Sequence, residues 1–163
     1  MMERLQFRPV DIEQHANICI SFREDSFVVS FGNTEKFYEE DGKGAERYID
    51  WLRSKITIDP RTVIHIWYEK EIIGQMELGR LREVPSTGYV NLFYLIEKYR
   101  GQGLGIQLDD YAVTYFRELG LRRIRLSVSP TNLQALTYYK KMGWKDLGPS
   151  LKHPEVHLME KNI

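Results

Sequence analysis

The spacing of apolar and polar positions changes period several times along the chain, and each change marks an element. Leu5 to Arg8 reads as a short strand ahead of Pro9, and Asp11 stands where the cap of a following helix belongs. Within that helix Ile12, Ala16, Cys19 and Phe22 recur at helical spacing. The pattern breaks from Asp25 to Asn33 and again at the Asp41-Gly42-Lys43-Gly44 turn, with Phe27, Phe31, Phe37 and Tyr38 nearby. Ala45, Tyr48, Ile49, Leu52 and Ile56 then repeat at three and four, one apolar face of a second helical region. Three strands follow, Val63 to Glu69, Ile72 to Leu81 and Thr87 to Ile96. The polar turn Glu69-Lys70-Glu71 and the Pro85-Ser86 pair separate them, which predicts an antiparallel meander.

After Gly105 the register becomes helical again. Leu108, Ala112, Tyr115, Phe116 and Leu119 line one face of a stretch from Leu104 to Leu119, and Gly120 is a natural stop. Arg123 to Val128 alternates with period two, a strand with one buried face, and Pro130 ends it. Thr131 or Asn132 caps a short helix that closes at Gly143, and two strands complete the chain. A right-handed crossover through the long helix makes the Thr87–Ile96 and Arg123–Val128 strands parallel neighbours. The fold class is therefore α/β (α+β) around a mixed, mostly antiparallel sheet. No internal repeat, low-complexity tract or linker interrupts it.

Composition narrows the class without naming a function. A chain of 163 residues suits one domain spanning 1–163 with a real core. Lys plus Arg equals Asp plus Glu at 23 each, so no overall field favours nucleic acid or an anionic membrane as partner. The start, Met1-Met2-Glu3-Arg4-Leu5-Gln6, lacks the apolar segment of a signal peptide, and no apolar run reaches membrane-spanning length. A cytoplasmic location is the expectation. Cys19 is the only cysteine, so no intrachain disulfide forms, and its spacing predicts a buried thiol. His153 and His157 share the spacing of helical zinc pairs, but Pro154 argues against a helix. On a strand they stand roughly 13 Å apart, so no metal is expected.

The candidate chemistry begins at Arg100-Gly101-Gln102-Gly103-Leu104-Gly105, between the Thr87–Ile96 strand and the long helix. A helix start leaves N–H groups unpaired and carries the positive end of the dipole, while glycines admit a ligand close to the backbone. That arrangement suits a pyrophosphate. A dinucleotide fingerprint would need Gly or Ala where Leu104 or Ile106 stands, and a P-loop would need Gly-Lys-Ser or Gly-Lys-Thr, which does not occur. The turn instead resembles the Arg/Gln-x-x-Gly-x-Gly/Ala turn of the GNAT (GCN5-related N-acetyltransferase) superfamily, with Arg100, Gly103 and Gly105 in place. Downstream, Asn132, Ala135, Tyr139 and Gly143 are similar to that family's Asn-x-x-Ala, Tyr, Gly-Phe pattern, with Trp144 in place of Phe. The resemblance is strong from Leu92 to Leu147 and extends to Val156–Lys161, whereas the first sixty or so residues match in outline.

This resemblance implies an N-acetyltransferase with acetyl-CoA as donor and a primary amine, small molecule or peptide, as acceptor, through a ternary complex. It implies a sheet flanked by helices with a splay between its fourth and fifth strands, where the pantetheine arm meets the backbone at Leu95 and Ile96. It places the pyrophosphate on Arg100, Gly101, Gln102, Gly103, Leu104, Gly105 and Ile106, with Lys98 as added charge. Asn132 touches the pantetheine arm, a backbone N–H near Leu95 or Ile96 holds the oxyanion, and Tyr139 protonates the leaving thiolate. Tyr138 reads as a packing aromatic. Some relatives carry a glutamate seven residues before the Arg/Gln; here that position is Phe93. Glu77, on one face of the preceding strand with Gln75, is the substitute candidate for the base, against a solvated carboxylate or water-mediated deprotonation. The alternative is a non-catalytic coenzyme A-binding sensor or interaction module of the same fold, and a third reading, an NAD-binding protein, rests on the glycines alone. Family habit adds a homodimer.

Overall fold

The computed structural model describes residues 4–163; Met1, Met2 and Glu3, used in the leader reading, lie outside the described residues. The strands are β1 (Gln6–Pro9), β2 (Val63–Tyr68), β3 (Glu71–Arg80), β4 (Thr87–Leu95), β5 (Arg123–Val128), β6 (Lys145–Pro149) and β7 (His157–Asn162). The helices are α1 (Ile12–Phe31), α2 (Glu35–Tyr38), α3 (Gly44–Ile58), α4 (Gly105–Glu118) and α5 (Leu133–Lys141). The strands form one seven-stranded mixed sheet in the order β1-β2-β3-β4-β5-β7-β6. β4 and β5 pair in parallel, as the crossover rule requires, while β1–β2, β2–β3, β5–β7 and β6–β7 are antiparallel. By contact density the chain divides into two compact units, and β3 and β4 each contribute residues to both.

The first unit runs to Glu77 and includes Leu92–Leu104. Asp11 caps α1 as expected, its Oδ1 accepting from the Gln14 N–H at 3.2 Å. The expected break at Asp25 does not occur. α1 continues to Phe31 and closes at Gly32, whose φ of 82° places it in the left-handed region that a helix C-terminus favours. The periodicity vanishes there for a packing reason: Cys19 and Phe22 are the buried residues of α1, while Val28 and Val29 are 46% and 43% exposed. Gly44 is not a turn residue but the first of α3. A Cβ there would lie 1.8 Å from the Phe37 carbonyl oxygen, so α3 begins hard against α2. Tyr48, Ile49 and Leu52 turn inward from α3 onto Val10, Cys19, Phe37 and Val63, the predicted apolar face at work.

The second unit comprises Leu78–Asn91 and Gly105–Ile163. The β4–β5 ladder covers Thr87↔Arg123 to Val90↔Leu126, and β4 runs on to Leu95. Phe116 of α4 packs on Gly88 of β4, where a Cβ would sit 2.5 Å from its ring. Asp109 is buried on α4 and satisfied by Trp144 Nε1 at 3.1 Å and Lys161 Nζ at 2.6 Å. Among the described residues no helix is long and apolar enough to cross a membrane.

Candidate active site

The glycine turn is built from left-handed backbone. After β4 a short 3₁₀ turn spans Glu97–Tyr99, and the Arg100 N–H donates to Glu97 O at 3.1 Å. Gly101 and Gly103 then adopt φ of 70° and 82°, angles at which any Cβ is strained, and α4 opens at Gly105. Buried Leu104 anchors the turn between them, and Gln102 Nε2 reaches back to Lys98 O at 2.7 Å. Among the described residues, the N–H groups of Gly101 to Leu104 meet no backbone acceptor. With the first N–H groups of α4 they form a run of donors at the positive end of a helix dipole. Gly105 serves packing as well, because a Cβ there would approach the Tyr138 hydroxyl to 2.8 Å.

The Arg100 side chain is engaged with Leu95, Asp25 and Tyr94. Its Nε donates to Leu95 O at 2.7 Å and its Nη2 to Asp25 Oδ2 at 2.6 Å, while its guanidinium lies 5.4 Å from the centre of the Tyr94 ring. The Tyr94 hydroxyl donates to the same Asp25 oxygen at 2.5 Å. Lys98 Nζ lies 3.8 Å from Glu71. At the end of β4 the Ile96 N–H donates to Ile73 O at 2.8 Å and is therefore engaged. The Tyr94 carbonyl lies over Gly74 of β3, 2.3 Å from where a Cβ would be. Its peptide is trans, so the Leu95 N–H points the opposite way, off the β3 edge. Of the two backbone donors named from sequence, Leu95 is the one directed outward.

Glu77 is not a solvated carboxylate. It has no exposed surface, and neither do Gln75, Met76 and Leu78, because both faces of β3 are covered there. Glu77 Oε1 accepts from Arg23 Nη2 at 2.6 Å; its Oε2 accepts from the Tyr48 hydroxyl at 2.5 Å and from Gln75 Nε2 at 2.7 Å. Gln75 Nε2 also donates to Tyr48 Oη at 2.8 Å, and Gln75 Oε1 accepts from His65 Nε2 at 2.9 Å, which fixes the His65 tautomer. Burial holds the His65 imidazole down at about 4, so it is neutral. Cys19 Sγ lies 3.6 Å from His65 Nε2, and burial, with the charge of Glu77 adding, pushes its thiol up to about 12. Sequence reasoning missed Arg23, Tyr48 and Asp25 as polar partners. An arginine on a helix carries no signal until the facing strand is known to bury a carboxylate.

On α5 the Asn132 side chain caps the helix, its Oδ1 accepting from the Ala135 N–H at 3.2 Å. Tyr139 lies two turns along, partly buried, its ring 5.8 Å from that of Trp144 and 5.6 Å from that of Tyr138. Burial, with the charge of Asp109 adding, raises its phenol above the ordinary value, so the group carries its proton at neutral pH. The Tyr138 hydroxyl is buried and, among the described residues, meets no hydrogen-bond partner. The structure thus groups Leu95, Ile96 and Arg100 with Asp25, places Gly101 to Ile106 in one continuous donor segment, and sets Asn132 and Tyr139 on a single helix. Glu77 is bonded instead to Arg23, Tyr48 and Gln75 and is buried.

Comparison with known proteins bears on the fold and the family. A solved PaiA N-acetyltransferase from Thermoplasma acidophilum, in complex with coenzyme A, is similar over 98% of this chain and 99% of its own, with a TM-score of 0.69 at 19% identity. An uncharacterised N-acetyltransferase of Methanocaldococcus jannaschii is 21% identical over 127 residues, 74% of this chain and 54% of its own length. The spermine/spermidine N(1)-acetyltransferase of Bacillus subtilis is 25% identical over 88 residues, 50% of this chain and 58% of its own. The chain spans about half the length of the curated relatives it matches. The model of the acetyltransferase (GNAT) family matches residues 23–144, from the partly buried Arg23 of α1 through the glycine turn to Trp144, and the chain belongs to that family.

Proposed function

We propose that this chain moves an acetyl group from acetyl-CoA to a primary amine by direct transfer in a ternary complex. The observation that carries the reading is the turn from Arg100 to Ile106, whose left-handed glycines and open N–H groups fit a pyrophosphate. Hydrogen bonds to charged groups contribute about 1.5–3 kcal/mol each, so three or four approach the roughly 8 kcal/mol of a micromolar complex before binding costs. With Arg100 engaged elsewhere, this affinity rests on backbone donors.

When bound, acetyl-CoA would supply a thioester carbonyl carbon open to addition of the amine and, on collapse of the resulting oxyanion, a thiolate as leaving group. The Leu95 N–H, directed off the β3 edge, is the donor for the oxyanion. Tyr139 holds its proton at working pH and gives it to the departing sulfur. Asn132 keeps its side-chain N–H₂ for the pantetheine amides, since capping uses its oxygen alone. A free lysine amine has a pKa near ~10.4 and must lose a proton first. Glu77 has no surface from which to take it, so deprotonation runs through water. The name of the Bacillus subtilis relative supports including polyamines among the acceptors tested.

The test is acetyl-CoA-dependent release of free thiol across small amines, polyamines and lysine-containing peptides, with Tyr139→Phe alongside. Amine-dependent release that drops at least tenfold in the variant, with acetyl-CoA affinity retained, is the expected result. Binding of acetyl-CoA with no release from any acceptor would overturn it in favour of a coenzyme A sensor.

A further inference from the structure

We propose that Asp25 and Arg100 are a positioning pair: Arg100 serves the Leu95 peptide at the end of β4, not the coenzyme phosphates, and Asp25 of α1 holds it in place. The kinetic consequence rests on the acetyl-transfer reading; the structural one rests on geometry alone.

The Leu95 carbonyl and the Ile96 N–H belong to one peptide plane and point in opposite directions across it. The carbonyl accepts from Arg100 Nε at 2.7 Å and the N–H donates to Ile73 O at 2.8 Å, so the plane is pinned from both sides. The second pin depends on where Arg100 stands. Its Nη2 meets Asp25 Oδ2 at 2.6 Å, and that oxygen is itself fixed by the Tyr94 hydroxyl at 2.5 Å. One edge of a rigid guanidinium thus bridges a helix carboxylate and a strand carbonyl, a geometry that a lysine ammonium does not reproduce. The adjoining N–H, that of Leu95, is the outward donor on the same strand end. That donor lies in the preceding plane, joined to the pinned one at the Leu95 Cα, so freeing the pinned plane loosens both the donor and the entry to the glycine turn five residues on.

Exposure separates direction from stability. The Asp25 and Arg100 side chains are 41% and 27% exposed, a range in which ion pairs add little to folding. Loss of the pair therefore leaves the urea midpoint nearly unchanged while freeing the peptide.

The experiment compares Asp25→Ala, Arg100→Ala, the double variant and Arg100→Gln with the parent chain. Its readouts are amide hydrogen exchange at Leu95 and Ile96, coenzyme A affinity by calorimetry, and kcat against KM for thiol release. Expected are exchange at Ile96 faster by about tenfold and kcat lower by about tenfold in either alanine variant, coenzyme A affinity within about threefold, and a double variant no worse than the singles. Arg100→Gln, which can still donate to Leu95 O, recovers part of the protection. Unchanged exchange in both alanine variants would overturn the proposal. So would a tenfold loss of coenzyme A affinity confined to Arg100→Ala, which would give the guanidinium to the phosphates. A parent chain that releases no thiol would sink the acetyl-transfer reading instead, and the exchange data would still decide the pair.

Discussion

Replacing Glu77 by Gln changes one atom and is expected to cost the fold about 3 kcal/mol. The carboxylate is fully buried and takes three hydrogen bonds, from Arg23, Tyr48 and Gln75. A glutamine must point its N–H₂ either at the Arg23 guanidinium or at the Gln75 amide, and both are donors. The Tyr48 hydroxyl can reverse and accept, Gln75 can accept only by flipping its amide and giving up its bond with His65, and the Arg23 guanidinium cannot accept at all. Removing one partner of a buried ion pair costs about 3–5 kcal/mol, mostly because the remaining charge stays buried. The Arg23 side chain keeps 17% of its surface, which lets water reach it and places the cost at the lower end of that range. Urea unfolding at pH 7, followed by tryptophan fluorescence, measures this directly. Arg23→Leu with Glu77→Leu should lose less than the sum of the two singles, by at least about 1.5 kcal/mol. A loss below about 1 kcal/mol for Glu77→Gln, or strict additivity in the double variant, would refute the argument. The same variant tests the base: a folded Glu77→Gln enzyme whose pH–rate profile loses its acidic limb would return Glu77 to the chemistry.

Three further outcomes follow from the two units. His65 is neutral in the fold down to about 4 against an ordinary 6.5, so its contribution is complete above pH 6.5 and disappears as pH falls through about 4, because the unfolded chain binds the proton first. The stability gap between the parent chain and His65→Gln should narrow by about 3 kcal/mol from pH 7 to pH 4, and a constant gap would reject the assignment. Tyr138→Phe removes a buried hydroxyl that has no hydrogen-bond partner among the described residues and should raise stability by about 1 kcal/mol with turnover unchanged, whereas a destabilised variant would mean that the hydroxyl is satisfied in solution. Cys19, buried and with its thiol pushed up to about 12, should react with a disulfide reagent at pH 8 only as the chain unfolds; rapid labelling of the native protein would show that α1 opens there.

The order of elements was legible because hydrophobic period and turn residues agree over most of the chain: the Arg123–Val128 strand appears with its expected bounds, Asp11 caps α1 as expected, and of Thr131 and Asn132 it is Asn132 that caps α5. Legibility failed in α1, where the stripe that starts at Ile12 and runs through Phe22 dissolves into exposed valines although the backbone ladder continues. It failed again at β3. Alternation of Gln75 and Glu77 with Met76 and Leu78 reads as one wet face and one dry face, and nothing local reveals that Tyr48 and Arg23, 29 and 54 positions distant, arrive to neutralise the wet one. Arg100 shows the same limit from the other side. Its place in the turn was visible, but the direction of its side chain depends on Asp25, 75 residues earlier in the chain.

These misses share a cause that bears on function. The groups proposed to act on acetyl-CoA are mostly backbone, the Leu95 N–H and the donors from Gly101 to Ile106, and a backbone N–H is supplied by any residue except proline. Sequence therefore marks such a site only where conformation demands it, at Gly101 and Gly103 with their left-handed angles, and at the side chains that aim the peptide, which are identifiable only once folded. Asn132 and Tyr139 are the exceptions, side chains that donate themselves, Tyr139 with a proton to transfer. Choice of acceptor falls to side chains. If the amine is taken up beside the first three helices, the discriminating residues belong to the segment where motif resemblance is weakest. Exchanging the aromatics Phe27, Phe31 and Tyr38 should then alter the ranking of amines, while substitutions in the glycine turn should lower release for all amines in proportion.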